Sequence, residues 1–293
     1  MTTPNPPPIS PLAKGPGENR AAAAAETLLL TIDSSTAVAG LALIRGDTPL
    51  LEVSWRSVAA HTVELAPRLR WLLGETRSSP RDLGAIAVCL GPGSYNGLRA
   101  GISLAKGLAF ALGVPLLGIS GLEAVAHQAA SGGAAGLPVC AVQPATGTGQ
   151  RGLPLVAAAL FRAGDHGLQR ERAEQIVDLD ELCGWLLGPT LVCGEITGAL
   201  ALAIQTHCAA GVARLAPPLA SQRRPLAMAE LALRRRAAGE ADDPATLQPL
   251  YLRPPNITLP KAAPLAGTHP VGATGRSPLQ APAQDLSEPP SHT

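Results

Sequence analysis

Two short stretches carry the residue types that chemistry would need. The first, Gly91-Pro92-Gly93-Ser94-Tyr95-Asn96-Gly97-Leu98-Arg99, follows an apolar run and opens a helical pattern, the layout of a backbone loop that cradles phosphate. Gly91 and Gly93 permit backbone angles that other residues resist, and amides from Ser94 onward would face an anion at the helix start. The loop nevertheless lacks the Lys-Ser/Thr of a P-loop and the full Gly-x-Gly-x-x-Gly spacing. A tight strand-to-helix turn also explains it, and on chemistry alone that plainer reading leads. The second stretch, Asp33-Ser34-Ser35-Thr36, places a carboxylate at the end of an apolar run. Asp33 there would organise a metal-bound phosphate, but a phosphate-gripping hairpin wants glycine where this one has Ser34 and Ser35. Asp33 capping its own turn accounts for the pattern just as well.

Other chemistries find less support. His61, His127, His166 and His207 are far apart, with no His-x-x-x-His pair to present two imidazoles to one metal. Ser94 has no recognisable base or orienting acid in its neighbourhood, which argues against a serine hydrolase. Cys89, Cys140, Cys183, Cys193 and Cys208 are widely spaced, mostly in apolar runs, and are expected to be buried free thiols of a reducing compartment. A formal net charge of +1 and seven aromatic residues supply neither a broad basic field nor many stacking platforms for nucleic acid. Any such contact is expected to be shared with a partner.

The elements that must hold these residues follow from hydrophobic periodicity. LLLTID (28–33), AGLALI (39–44) and LLEVSW (50–55) predict three short strands joined by tight turns, hence an antiparallel meander. HTVELAPRLRWLL (61–73) puts Leu65, Leu69, Leu72 and Leu73 on one helical stripe, with Pro67 inside. AIAVCLG (85–91) and PLLGIS (115–120) predict buried strands flanking a helix over 96–113. Strands separated by a helix run parallel. Going round that helix, only Arg99, Ser103 and Lys106 are polar, so it needs cover on nearly all sides. Either another helix of the same unit covers it, or its small residues, Ala100, Gly101, Ala105 and Gly107, receive a helix of another protein.

The order β-β-β-α-β-α-β is that of one lobe of the actin, hexokinase and sugar-kinase superfamily, and other mixed α/β folds can be threaded through the same elements. After the Gly/Ala stretch 129–138 a second set of elements begins: strands at 153–161 and 190–195, helices at 180–187, 198–208 and 224–239. The expected class is therefore α/β, two-lobed and actin-like, with a first lobe at 27–130 and a second, degenerate lobe at 137–257. Residues 1–26 and 258–293, rich in proline and poor in apolar runs, are expected to be disordered tails, the first neither a signal peptide nor a membrane span.

The segment GPGSYNGLRAGISLAKGLAFALGVPLLGISGLEAVA resembles the signature of the TsaB family, also known as YeaZ or glycoprotease-like proteins. TIDSSTAVAGLAL, HTVELAPRLRWLL and PLYLRPPNITLPK (249–261) are similar to further segments of that family in the same order. The resemblance implies a cytoplasmic, catalytically degenerate member of the actin-like superfamily, a scaffold that binds no cofactor by itself. It implies pairing with TsaD, which holds ATP and metal and threonylcarbamoylates N6 of the adenosine beside the anticodon in tRNAs reading ANN codons. TsaE, an ATPase, joins that assembly, and the free subunit has a homodimer as its alternative. On this reading tRNA is met indirectly, the partner interface draws on Leu65, Leu69, Leu72, Arg99, Gly101, Ile102, Ala105 and Leu108, and Asp33, Ser34, Gly91, Gly93 and Ser94 are vestigial phosphate contacts. Two departures stand out. Asn96 replaces the usual Thr of the motif, and AVQPATGTGQRG (141–152) has no acidic residue where the family has an Asp-Ala-Arg-Arg segment. The competing reading is a glycoprotease-like metallo- or serine hydrolase.

Overall fold

The computed structural model describes residues 27–57, 61–132, 136–164, 167–218 and 221–253; the tails expected at 1–26 and 258–293 lie outside them. Strands β1 (Leu28–Asp33), β2 (Val38–Arg45), β3 (Thr48–Arg56), β4 (Leu83–Gly91) and β5 (Leu116–Ser120) form one sheet in the order β3-β2-β1-β4-β5. The first three pair antiparallel, while β4 pairs parallel with both β1 and β5. Helix α1 (His61–Glu75) and helix α2 (Tyr95–Leu112) cover one face. Leu28, Leu30 and Ile32 point into that layer, and Leu29 points to the other. A strand covered on both sides reads as a continuous apolar run rather than an alternating one, which is why LLLTID looks as it does.

The second sheet repeats the plan. Strands β6 (Val139–Thr148), β7 (Pro154–Gly164), β8 (Gly167–Asp178), β9 (Thr190–Gly194) and β10 (Ala213–Leu215) lie in the order β10-β9-β6-β7-β8. Again the first three are antiparallel, and β9 pairs parallel with β6 and β10. One face carries α4 (Leu179–Trp185) and α5 (Gly198–His207), with Leu182, Trp185, Leu200 and Ile204 against Cys140, Val142, Val156 and Leu160.

The helices do not respect the boundary expected from the sequence. Helix α3 (Gly121–Ser131) follows the first sheet but packs Leu122, Val125 and Ala129 against Val139, Ala157 and Phe161 of the second. Helix α6 (Pro225–Ala237), expected within 137–257 as part of the second lobe, returns to the far face of the first sheet. There Met228, Ala229 and Ala232 meet Leu29, Ala85, Ala87 and Leu117. Pro225 sits so close to β2 that a Cβ on Gly40 would collide with its ring. Periodicity shows that a helix has an apolar face; it does not show which sheet receives it.

The cysteine expectation is also corrected. Cys183 of α4 and Cys208, which ends α5, form a disulfide, with Cα atoms 5.2 Å apart. These two helices lie side by side on the second sheet, a juxtaposition that a separation of 25 residues does not reveal. Cys89, Cys140 and Cys193 are free and buried, as expected.

Candidate functional site

The carboxyl ends of the central strands meet where the two lobes face each other, and the Gly-rich loop opens there. Ser94 caps α2, its hydroxyl accepting from the Gly97 amide at 3.4 Å. Gly91 has φ +106°, so glycine is required at the strand's end. What lies in front of the loop decides its chemistry. The carbonyl of Ser35 accepts the Ser94 amide at 2.6 Å, and a Cβ on Gly93 would collide with that same carbonyl. Ser34 Oγ donates to the Gly97 carbonyl at 2.7 Å, and Gly101 makes room for the Ser34 hydroxyl. The β1–β2 turn therefore sits in the place an anion would take. These residues do not fit a bound nucleotide phosphate.

Asp33 is turned inward. Its Oδ1 accepts from the Ser35 amide at 2.9 Å and from the Ser35 hydroxyl at 2.5 Å, the turn-capping arrangement that competed with the phosphate reading. Its Oδ2 lies 3.5 Å from Nη1 of Arg223, a residue just ahead of α6 that sequence reasoning did not single out. The buried guanidinium also donates from Nη1 to Ser35 Oγ and from Nη2 to Gln143 Oε1, the latter at 3.0 Å, and Cys89 Sγ lies 3.6 Å from Nη1. Burial disfavours the charge on Arg223, but Asp33 and Glu195 outweigh it and leave its pKa raised. Burial first, and Asp33 second, push the Cys89 thiol up to about 12, so it is a neutral thiol at physiological pH. Gln143 lies in the segment that has no acidic residue. It occupies the position of Asp33 in the repeated plan: Asp33 follows Ile32, the last β1 residue paired with β4, and Gln143 follows Val142, the last β6 residue paired with β9.

The structure corrects the expected interface list. Leu65, Leu69, Leu72, Ile102 and Ala105 are buried in the first lobe's own core, and Gly101 is buried against Ser34. The stripe that looked unpartnered in sequence is covered by β4, β1 and the facing helix. Leu108 is half-buried and Arg99 exposed, its guanidinium donating to the Tyr95 hydroxyl at 2.8 Å. What remains open is a groove of about 520 Å³ between α1 and α2, bordered by Thr62, Ala66, Asn96, Arg99, Ser103 and Leu104. The same two helices also expose two apolar side chains, Val63, 64% exposed, and Phe110, 86% exposed.

Among the described residues no hydrolytic constellation accompanies Ser94. His127 is buried and paired with Glu230 at 2.6 Å, and His207 pairs with Asp180 at 2.5 Å. His166 lies outside the described residues, as does the side chain of His61. Among the described residues no group of three or more His, Cys, Asp or Glu is arranged to hold a metal ion. No described helix is long and apolar enough to cross a membrane.

Two sheets of one repeated plan, facing across a cleft that takes its residues from both, define a two-lobed protein of the actin-like class. Comparison with known proteins narrows this. Residues 56–184 match the family model described as TsaD, tRNA N6-adenosine threonylcarbamoyltransferase. The chain is 41% identical over 98 residues to the tRNA threonylcarbamoyladenosine biosynthesis protein TsaB of Bacillus subtilis, covering 33% of this chain and 43% of that protein. It is 34% identical over 103 residues to TsaB of Escherichia coli, again 43% of that protein and 34% of this one. The matched part is thus less than half the length of these relatives. YeaZ from Pseudomonas aeruginosa superposes with a TM-score of 0.64 at 25% identity, over 77% of this chain and all of that one. These likenesses to TsaB and YeaZ proteins support a place beside the TsaB/YeaZ family.

Proposed function

We propose that this chain is a non-catalytic scaffold subunit of the machinery that makes threonylcarbamoyladenosine in tRNA. The observation that carries the reading is the contrast between its two candidate surfaces. The cleft that would hold a nucleotide is filled by the chain's own groups, while the α1–α2 groove stands open and α2 exposes Phe110. A protein of this family without room for a ligand acts through what it binds on the outside. The partner is a TsaD-type subunit, the family whose model this chain also matches. In this reading the partner brings ATP and metal, TsaE joins the assembly, and the modified adenosine lies beside the anticodon in tRNAs reading ANN codons. The chain touches tRNA only through the complex, works in the cytoplasm, and uses the same groove to form a homodimer when alone.

The test is coexpression with the TsaD of the same organism, followed by size-exclusion chromatography and mass spectrometry of tRNA nucleosides. A stoichiometric complex is expected, with modification only when both subunits are present. Modification by the partner alone at the full rate would overturn the scaffold role.

A further inference from the structure

Arg223 converges with groups from four separate segments: Asp33 and Ser35 of the β1–β2 turn, Cys89 of β4, Gln143 of β6 and the backbone at Gly121, where a Cβ would approach Nη1 to 2.6 Å. Two of them, Asp33 and Gln143, are matching residues of the two central strands, each just past the last residue paired with the parallel neighbour. The arrangement suits a planar cation with donors on both arms: a carboxylate, a hydroxyl and an amide oxygen accept, and a missing side chain leaves the space. It is hostile to an anion, which would face the Asp33 carboxylate and find the Ser94 amide already taken. We propose that the cleft is a guanidinium site, occupied in cis by Arg223, and that this internal ligand holds the lobes together.

The inference goes beyond the scaffold reading, since it concerns closure of the chain by itself. It is tested by chemical rescue in the full-length protein. Arg223→Ala removes the ligand and leaves the site, so it should melt at a lower temperature. Guanidinium chloride at low millimolar concentration should then raise that melting temperature in a saturable way. Sodium chloride and urea at the same concentrations should not, and neither the wild type nor the double variant Arg223→Ala with Asp33→Asn should respond to guanidinium. An equal response of the wild type, or none in Arg223→Ala, overturns the proposal. So does a clear rise in wild-type melting temperature with inorganic phosphate or Mg-ATP. If Arg223→Ala does not fold, Arg223→Lys carries the test, because it keeps the charge but not the two-armed reach to Ser35 and Gln143. Its hydrogen exchange should quicken at both the β1–β2 turn and β6; unchanged exchange at either would overturn the internal bridge. Gly121→Ala, which touches none of the polar partners, should quicken exchange at the same two places.

Discussion

In the first lobe an 18-residue helix follows the parallel strand β4; in the second a 10-residue helix follows its counterpart β9. The helix before each of those strands shrinks from 15 residues to seven, and the last strand from five to three. The strand plan is the same in both. What differs is how the sheet is stabilised and what is left outside. The first lobe buries Leu65, Leu69, Leu72 and Ile102 under two long helices and keeps a groove and Phe110 exposed between and beside them. The second lobe has less helix to spread over its sheet, ties its two short helices together with the Cys183–Cys208 disulfide, and exposes Leu202 on α5 and Leu187 on a groove of its own that is lined also by Arg162, Glu171 and Arg172. A repeated fold can thus keep one half as an interaction platform while the other thins to a support.

The largest effect expected to separate the lobes comes from placing the same charge on equivalent helices. Ala105→Glu puts a carboxylate into a fully buried position of α2, at a cost of about 4 kcal/mol or more. Against a total of roughly 5–15 kcal/mol for an ordinary domain, the first lobe should fail to fold. Gly101→Glu should behave alike, since Ser34 already fills the space beside it. Leu202→Glu, on the open side of α5, should change stability by no more than about 0.5 kcal/mol. Circular dichroism melts of the variants check this; a folded Ala105→Glu protein would mean that α2 can lift from its sheet.

Next in size is the disulfide. Replacing Cys183 and Cys208 together by serine releases a 25-residue loop, and the chain-entropy model puts the loss at about 3.5 kcal/mol. The loss should be confined to the second lobe. Hydrogen exchange should accelerate in α4, α5 and β9 while β1, β4 and α2 stay protected. Uniform acceleration would show that the lobes unfold as one unit and that the disulfide supports both.

The groove is expected to matter for association rather than folding. Phe110→Glu should leave the melt within about 0.5 kcal/mol of the wild type. If Phe110 is an anchor of the proposed pairing, a loss of about 2 kcal/mol would weaken binding to the TsaD-type partner roughly thirtyfold by calorimetry. Leu187→Glu, 96% exposed in the second lobe, is the matched control and should bind normally.

The same contrast explains how much could be read from sequence. Strands β1, β2, β4 and β5 and helices α1 and α2 were legible because each carries its own pattern: a continuous apolar run, an alternation, or a stripe ended by a glycine such as Gly113, which caps α2 at φ +66°. Strand β8 was not, because Arg170, Glu171, Arg172 and Glu174 give it the composition of a solvated segment, and its ladder to β7 makes it a strand. The site was half legible. Asp33 and the Gly-rich loop stood out by residue type, and the turn-capping role of Asp33 was one of the readings kept open. Arg223 did not stand out, since it is one arginine beside another, 190 residues from Asp33 by chain order, and only the return of α6 to the first sheet brings it there. The stripe on α2 misled for a related reason. Sequence shows that Leu65, Ile102 and Ala105 must be covered, but it does not say that the cover is internal.

The smallest expected effect concerns two exposed carboxylates, one in each lobe, whose pKa values are both lowered from 3.8 by different means. Asp82, beside β4, accepts from the Ser79 amide at 2.7 Å and from the Ser79 hydroxyl at 3.0 Å, and these neutral donors are the main cause. Asp180, in α4, is lowered first by its hydrogen bond from His207, then by charge, with Arg151 at 3.3 Å contributing. Because folding lowers both, each contributes stability that is present above the unfolded carboxylate range and is lost as pH falls through the folded pKa. The acid limb of the stability curve, below about pH 4, therefore contains both lobes. Salt should separate them. At about 1 M ionic strength the Debye length is about 3 Å, so the charge contribution to Asp180 is screened, while its hydrogen bond from His207 and those of Asp82 from Ser79 are kept. Carboxyl titrations by NMR should show the Asp180 midpoint moving up toward 3.8 and the Asp82 midpoint staying put. If both move together, the two lobes hold their surface carboxylates by the same means, and the contrast drawn between them ends at their helices.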